Sequence, residues 1–167
     1  MSIQNIQTIV EKACRVGVGL AFFVLIGAVL YQVVGRTIGV SSVWTEELTR
    51  YALLYVAAFG VGLSFLSGDL VNVDVICESM PGEWPRRLRL FAATITALLS
   101  LILLGPAWKY TAIGARQTSP ALGVRMDFVH VSILLLLVLL LVFSTLRIVA
   151  MLWAGASGLP ERRGDDA

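Results

Sequence analysis

Long apolar stretches dominate the chain and alternate with short polar segments. Four of these stretches contain no Asp, Glu, Lys or Arg, and each is 18 to 20 residues long. A helix of that length spans roughly 27–30 Å, the thickness of the hydrocarbon core of a bilayer. Because lipid offers the backbone no hydrogen-bond partners, only helices or a closed barrel fit, and the lack of period-two alternation excludes the barrel. The pattern predicts an all-α membrane protein with four transmembrane helices, over about residues 16–35, 51–68, 90–108 and 128–147.

Short amphipathic helices at the membrane surface are predicted to complete a single domain of residues 1–155. Over roughly the first 15 residues, apolar side chains recur at helical spacing, which favours a short interfacial helix. The connector Gly68–Pro85 has the same periodicity, although its run Val71–Ile76 also resembles a strand. We predict an interfacial helix there, ended by Pro81-Gly82. Residues 156–167 are polar and predict a disordered cytoplasmic tail.

The distribution of Lys and Arg predicts that both termini are cytoplasmic. The first apolar stretch is longer than a signal-peptide core, so we expect it to be retained as a helix. With the N-terminus inside, eight basic residues flank the inner ends of the spans and five flank the outer ends. The inner residues are Lys12, Arg15, Arg86, Arg87, Arg89, Arg147, Arg162 and Arg163. The outer residues are Arg36, Arg50, Lys109, Arg116 and Arg125.

A strongly polar segment, Trp44–Tyr51, lies at the predicted outer side between the first two spans. If a helix begins near Ser42, Glu46 and Arg50 form an i,i+4 pair in the favourable order. The segment has two interpretations. It is either a water-exposed helix start with aromatic interface anchors, or a fastening point at which Arg36 pairs with Glu46 or Glu47 and fixes the hairpin.

The second predicted helix carries small residues at four-residue spacing. Gly60, Ser64 and Gly68 form one series, and Ala58 with Gly62 forms another. Small residues allow a neighbouring backbone to come close, so they predict a packed side. The neighbour could be another helix of this chain or a helix of a partner.

Composition and charge narrow the function further. Charged residues make up 14% of the chain, and the net charge of +2 gives no support for nucleic-acid binding. One histidine and two cysteines make a four-ligand zinc site or a bis-histidine haem implausible, so we expect no catalytic site, metal or cofactor. For His130, pairing with a neighbour is the favoured interpretation over a role in proton relay. Because no charge lies near the middle of a span, the chain is a weak candidate for a transporter acting alone.

Several segments together resemble a known family. They are Gly35-Arg36, Ser42-x-Trp44-x-Glu46-Glu47-Leu48-x-Arg50-Tyr51, Phe59-Gly60, Gly68-x4-Val73-Asp74 and Ser119-Pro120-Ala121-Leu122. They are similar to segments of the small membrane subunit, the DctQ-like family, of tripartite ATP-independent periplasmic (TRAP) transporters. The likeness extends from about residue 12 to 153, and the Trp-x-Glu-Glu-Leu segment is its most specific part.

The resemblance implies a small scaffold subunit in the bacterial inner membrane. It would pair with a large, sodium-coupled TRAP membrane subunit and help to dock a periplasmic substrate-binding protein, in the import of C4-dicarboxylates or related organic acids. It also implies structural or contact roles for six residues. These are Arg36, Trp44, Glu46, Glu47, Arg50 and Asp74. The chain departs from the family at Leu70, where a histidine is common, and at Arg125-Met126-Asp127, where a proline and an aromatic pair are usual.

Other functions are also compatible with the residues. The chain could be an unrelated four-helix membrane anchor or an assembly subunit of a membrane enzyme complex, although His130 alone cannot supply two cofactor ligands. A small channel or an assembly factor without a transport partner is a further alternative. Co-purification with a large permease would distinguish the TRAP role from these alternatives.

Overall fold

The computed structural model describes residues 3–40, 42–67 and 84–153 of the 167-residue chain. This part is helical, with a single isolated antiparallel bridge between Thr118 and Arg125. Its helices are α1 (Ile3–Thr37), α2 (Val43–Ser67), α3 (Trp84–Gly114) and α4 (Asp127–Trp153). The predicted all-helical class is therefore confirmed for these residues.

Three of the four helices, α1, α3 and α4, are long and apolar enough to cross a membrane. The helix that falls outside this group is α2, whose first two turns contain Glu46, Glu47 and Arg50. From Tyr51 onward its sequence contains no charged residue. The predicted count of four spans consequently stays a prediction.

The first helix differs from the prediction of a separate amphipathic helix over the first 15 residues. α1 is continuous for 35 residues, about 52 Å at the standard rise. No proline separates the amphipathic part from the apolar part, and an ion pair of 2.7 Å between Glu11 and Arg15 lies in the last turn before the expected boundary. An i,i+4 pair of this kind supports uninterrupted helix. The interfacial helix predicted to end at Pro81-Gly82 lies outside the described residues, and the last two positions of that connector, Trp84 and Pro85, begin α3.

The helices pack in the order α1, α2, α4, α3. Helix α2 lies between α1 and α4, and within the described residues α3 contacts α4 alone among the helices. A hydrophobic cluster of Cys14, Ala93, Leu139 and Phe143 joins α1, α3 and α4. Phe59 and other α2 side chains pack against this cluster, so all four helices contribute to the core.

Small residues provide the close contacts between helices. On α3, the buried positions Ala93, Ser100, Ala107 and Gly114 recur every seven residues and form the side that faces α4. On α2, Gly62 is buried beside Phe143 and Leu139 of α4, at distances that leave little room for a methyl group. The Ala58–Gly62 series is thus the packed side of α2, and its neighbour belongs to the same chain.

Pro106 lies within α3, which continues beyond it to Gly114. The helix ends one turn after the aromatic and basic residues Trp108, Lys109 and Tyr110. The loop that follows connects α3 to α4 and lies at the same end of the bundle as the turn between α1 and α2. We call this end, which carries both connections, the turn end.

Candidate partner-contact site

A tight turn brings α1 into contact with the start of α2. Gly39 adopts a left-handed conformation with φ of 76°, which residues with a Cβ rarely adopt. The N–H of Val40 donates to the carbonyl of Gly35 at 2.8 Å, and the N–H of Gly39 donates to that of Arg36 at 3.2 Å. This pair of bonds is the Schellman arrangement that terminates helices. The chain reverses direction at this turn, so that α2 begins six residues after the end of α1 and packs against it.

The side chain of Glu46, at the start of α2, forms polar contacts with the end of α1. Its Oε1 atom lies 2.9 Å from Nη2 of Arg36 and accepts a hydrogen bond of 3.3 Å from Nε2 of Gln32. Beside this contact the rings of Tyr31 and Trp44 pack with centroids 5.3 Å apart. Of the two interpretations of this segment, the one in which Arg36 pairs with an acid of α2 matches this geometry, and Glu46 rather than Glu47 forms the pair. Both partners keep a large exposed fraction, so water weakens the attraction.

Glu47, the next residue, contacts the loop between α3 and α4 instead of α1. Its Oε2 atom accepts a hydrogen bond from the hydroxyl of Ser119 and bonds from the N–H groups of Ala121 and Leu122, at 3.3 and 3.2 Å. The Ser119 hydroxyl is itself buried and accepts from Leu122 N–H at 3.2 Å. One carboxylate thereby satisfies three donors of the loop between α3 and α4.

These hydrogen bonds favour the ionised form of the Glu47 carboxylate. Chiefly the Ser119 hydroxyl, which donates to the carboxylate, lowers the pKa of Glu47 below its ordinary value. Partial burial of the carboxylate has the opposite effect and raises its pKa. The N–H groups of Leu122 and Ala121, and the charge of Arg50, lower the pKa further.

The loop held by Glu47 has a defined backbone. Ser119 N–H donates to the carbonyl of Val124 at 2.8 Å, and Gly123 N–H donates to that of Ser119 at 3.0 Å. Gly123 adopts a left-handed conformation with φ of 64°. Thr118 and Arg125 form the bridge mentioned above. The loop therefore resembles a miniature hairpin that donates hydrogen bonds to the Glu47 carboxylate.

Two tyrosines of α2 extend this connection toward α4. The hydroxyl of Tyr51 lies 3.5 Å from Sδ of Met126, and the hydroxyl of Tyr55 donates to the carbonyl of Phe128. Because both contacts lie at the start of α4, α2 is anchored at its own start and again one to two turns further along.

His130 joins the end of α3 to the start of α4. Its ring is stacked on Tyr110 with centroids 3.8 Å apart, and its Nδ1 lies 3.1 Å from the Tyr110 carbonyl oxygen. The ring also lies against Gly114, where a Cβ would come within 2.9 Å of the backbone nitrogen of Asp127. The favoured sequence interpretation, a histidine paired with a neighbour, matches this geometry.

An apolar groove of about 380 Å³ separates parts of α1 and α2. Small and aromatic side chains form its walls. They are Gly17, Leu20, Ala21, Val24, Leu48, Tyr51, Ala52, Tyr55 and Phe59. A site for a small carboxylate substrate would need polar groups that converge on it, and this lining supplies only the tyrosine hydroxyls. Within the described residues, no cluster of three His, Cys, Asp or Glu side chains could hold a metal ion.

The six residues expected to have contact roles occupy different positions. Arg36, Glu46 and Glu47 make the contacts described above, Trp44 packs on Tyr31, and Arg50 is exposed on α2. Asp74 lies outside the described residues. Their roles as contacts with another protein stay predictions.

Sequence reasoning did not find the partners of Glu47. The turn Ser119-Pro120-Ala121-Leu122 is recognisable from its residues, but its contact is with a carboxylate 72 residues earlier. The hydroxyl residue Ser119 directly before Pro120 could have suggested an anchored turn, but nothing in the local pattern indicates that Glu47 is the anchor.

Comparison with known proteins agrees with this geometry. The family model described as "Tripartite ATP-independent periplasmic transporters, DctQ component" matches residues 25–154, which include the whole turn end. The chain belongs to the DctQ family. It is also 25% identical over 130 residues to a Haemophilus influenzae protein named as a TRAP transporter small permease protein, covering 77% of this chain and 78% of that one.

Membership of the DctQ family makes this chain a small subunit of a TRAP transporter and a membrane protein. The helices long enough to span a membrane agree with that assignment. The fastened turn end, with Glu46 and Glu47 directed to two different elements, is thus a feature of a transporter subunit.

Proposed function

We propose that this DctQ chain is the small scaffold subunit of a sodium-coupled, binding-protein-dependent TRAP importer of organic acids. The substrate class would be C4-dicarboxylates or related carboxylates, and the large permease subunit would carry the substrate site. The observation that carries the proposal is the use of Glu46 and Glu47 inside the fold, where they hold α1, α2 and the α3–α4 loop together. Such carboxylates stabilise a rigid body, and the chain would have no enzymatic activity.

The scaffold would cross the bacterial inner membrane four times, with both termini in the cytoplasm. Helix α2 contains 25 residues, about 37 Å, and packs between α1 and α4. A helix between two candidate spans shares their depth, which supports the fourth crossing. The excess of Lys and Arg near the opposite end supports the orientation in which the turn end faces the periplasm.

The partners would be the large TRAP membrane subunit, the periplasmic substrate-binding protein and the lipid bilayer. We assign Arg36, Glu46 and Glu47 a structural role, because their side chains contact elements of this chain. Trp44 and Arg50 are exposed enough to contact a partner. Asp74 is proposed as a contact residue on the strength of the family likeness.

Reconstitution into proteoliposomes tests the proposal. Vesicles would contain this chain with the large subunit, the large subunit alone, or this chain alone, and uptake of a labelled C4-dicarboxylate would be measured with added binding protein. We expect uptake only with both membrane subunits, and only with an inward sodium gradient. Transport by this chain alone, or undiminished transport without it, would contradict the scaffold role.

A further inference from the structure

One side of α3 carries large apolar side chains that the rest of the described chain leaves exposed. The helix packs on α4 through the small residues that recur every seven positions from Ala93 to Gly114. About half a turn around the helix from these, large side chains recur at helical spacing and form a line along α3. The line consists of Phe91, Ile95, Leu98, Ile102 and Ile113. Their exposed fractions lie between 48% and 64%. We call these five residues the outer strip.

Two cations, Lys109 and Arg116, continue the outer strip at the turn end. Lys109 comes seven residues after Ile102, and Arg116 comes seven residues after Lys109, so both lie on the line of the strip. The N–H of Arg116 donates to the carbonyl of Ile113 at 3.0 Å, which carries the helical path beyond Gly114. Both cationic side chains are exposed. Within the described residues, neither of them forms an ion pair.

Lys109 lies where the apolar part of α3 ends. The charge-free stretch of this candidate span covers residues 90–108. On either side of Lys109, Trp108 and Tyr110 have exposed fractions of 66% and 45%, and both residue types are enriched at membrane–water interfaces. Arg116 lies about 10 Å farther along the helix axis. Because the headgroup layer is about 5–8 Å thick, the two cations lie on either side of the depth at which lipid phosphates lie.

The acids of the turn end do not neutralise these two cations. Glu46 contacts Arg36, and Glu47 accepts hydrogen bonds from the α3–α4 loop. Asp127 pairs with Arg125 at 2.6 Å. Contacts within the chain therefore occupy all three carboxylates of the described turn end, and the end of the outer strip keeps its positive charge.

We propose that Lys109 and Arg116 bind the phosphate of an anionic phospholipid whose acyl chains lie along the outer strip. Basic residues at the end of a membrane span attract anionic headgroups. Lipid fits the strip better than a helix of another protein, because helix contacts inside a membrane are enriched in small residues and the strip consists of large ones. The inference requires only that α3 spans the bilayer. It depends neither on the scaffold role nor on the orientation of the chain.

Titration of the full-length chain in detergent with single lipids, followed by native mass spectrometry, tests the cationic pair. The probes would be phosphatidylglycerol, which is anionic, and phosphatidylcholine, which has a phosphate but no net charge. We expect Lys109→Gln and Arg116→Gln each to weaken phosphatidylglycerol binding about fivefold and to leave phosphatidylcholine binding unchanged. Lys109→Arg keeps the charge and should keep the affinity. Arg50→Gln removes an exposed arginine of the same end from α2, and as the matched control it should have no effect.

Three results of this titration would overturn the inference. Equal losses for both lipids, or an equal loss in Arg50→Gln, would show that α3 has no site for an anionic headgroup. Displacement of the lipid by millimolar inorganic phosphate would assign the two cations to a free anion. A loss in Lys109→Arg as large as that in Lys109→Gln would show that the substitutions act through the fold and not through charge.

A nitroxide label in the outer strip tests the position of the acyl chains. The label would be attached to Ile102→Cys on a Cys14→Ala, Cys77→Ala background, in nanodiscs with and without the large subunit. We expect collisions with oxygen, which concentrates in lipid, to be frequent in both samples and collisions with a water-soluble nickel complex to be rare. Protection of the label from oxygen by the large subunit would show that protein covers the strip. That result would overturn the inference and leave the pairing of the two subunits intact.

Discussion

The carboxylate of Glu47 accepts a hydrogen bond from the hydroxyl of Ser119, and this bond joins the start of α2 to the loop between α3 and α4. The neighbouring residue Glu46 makes its contact with α1 instead. Successive residues of a helix point about 100° apart, so two adjacent acids can serve two different neighbours. The first turn of α2 is therefore the junction through which the other parts of the turn end are connected.

Replacing Glu47 by Ala should loosen the α3–α4 loop while leaving the helices in place. The change removes the acceptor of three donors and leaves the N–H of Ala121 to water, whereas the N–H of Leu122 keeps only its bond to the Ser119 hydroxyl. We expect faster hydrogen exchange in residues 118–124, measured by mass spectrometry in nanodiscs, and a lower Tm. Because both variants break the same contact, Glu47→Ala and Ser119→Ala together should have much less than the sum of their separate effects. Additive effects would show that the two side chains act independently.

The stability supplied by Glu47 should depend on pH in a definite direction. Its pKa is lower in the folded protein than in the unfolded chain, so the unfolded state binds more protons. The contribution is fully present above the ordinary glutamate pKa of about 4.3 and is lost as pH falls through the lowered folded value. The difference in Tm between the wild type and Glu47→Gln should be largest near neutral pH and shrink in acid. A difference that stays constant down to the most acidic readable pH would rule out this linkage.

The ion pair of Arg36 with Glu46 should contribute modestly to stability. With side-chain exposed fractions of 62% and 43%, the pair is well screened by water, and Arg36→Ala should lower the free energy of unfolding by at most about 1 kcal/mol. Glu46→Ala should have a larger effect, because it also removes the acceptor of Gln32.

A double-mutant cycle on this pair provides the measurement, with unfolding followed in mild detergent and assembly followed by recovery of the large subunit. We expect Arg36→Ala to weaken assembly and removal of the Glu46 carboxylate to add little to that loss. Purely additive losses would mean that the pair does not act as a unit. Lys12→Ala, an exposed basic residue near the opposite end, is the control for loss of charge alone.

Much of the architecture is readable from the sequence because lipid restricts the possible structures. Charge-free stretches of bilayer length predict helices, and each of the four described helices contains one or most of one. The pairing of Arg36 with Glu46 is also predictable, since a short turn forces the end of one helix against the start of the next. These inferences depend on residues that are close in the chain.

The remaining features depend on residues that are far apart in the chain. The contact of Glu47 with Ser119 depends on the packing of α2 against α4, which brings the α3–α4 loop to the start of α2, and hydrophobicity does not determine which helices pack together. The continuity of α1 was missed for a different reason. The hydrophobic pattern changes from amphipathic to uniformly apolar near residue 15, which suggested two separate helices. The backbone hydrogen bonds continue through this change, because no residue at Glu11–Arg15 interrupts them.

The junction of α3 and α4 offers a sharp test of close packing, because α3 contains two glycines with opposite surroundings. A Cβ at Gly114 would meet the ring of His130 and approach the backbone nitrogen of Asp127 to 2.9 Å, whereas a Cβ at Gly105 would meet no other part of the fold within 4 Å beyond its own stretch of helix. Gly114→Ala should therefore force the helices apart and lower the free energy of unfolding by about 1–3 kcal/mol. Gly105→Ala, the same change in the same helix, should change the free energy of unfolding by less than about 1 kcal/mol, because the higher helix propensity of Ala is opposed by crowding of its Cβ against the ring of Pro106. Thermal unfolding followed by the near-ultraviolet circular dichroism of the aromatic residues measures both. Equal effects of the two substitutions would show that the His130–Gly114 contact does not hold the helices together.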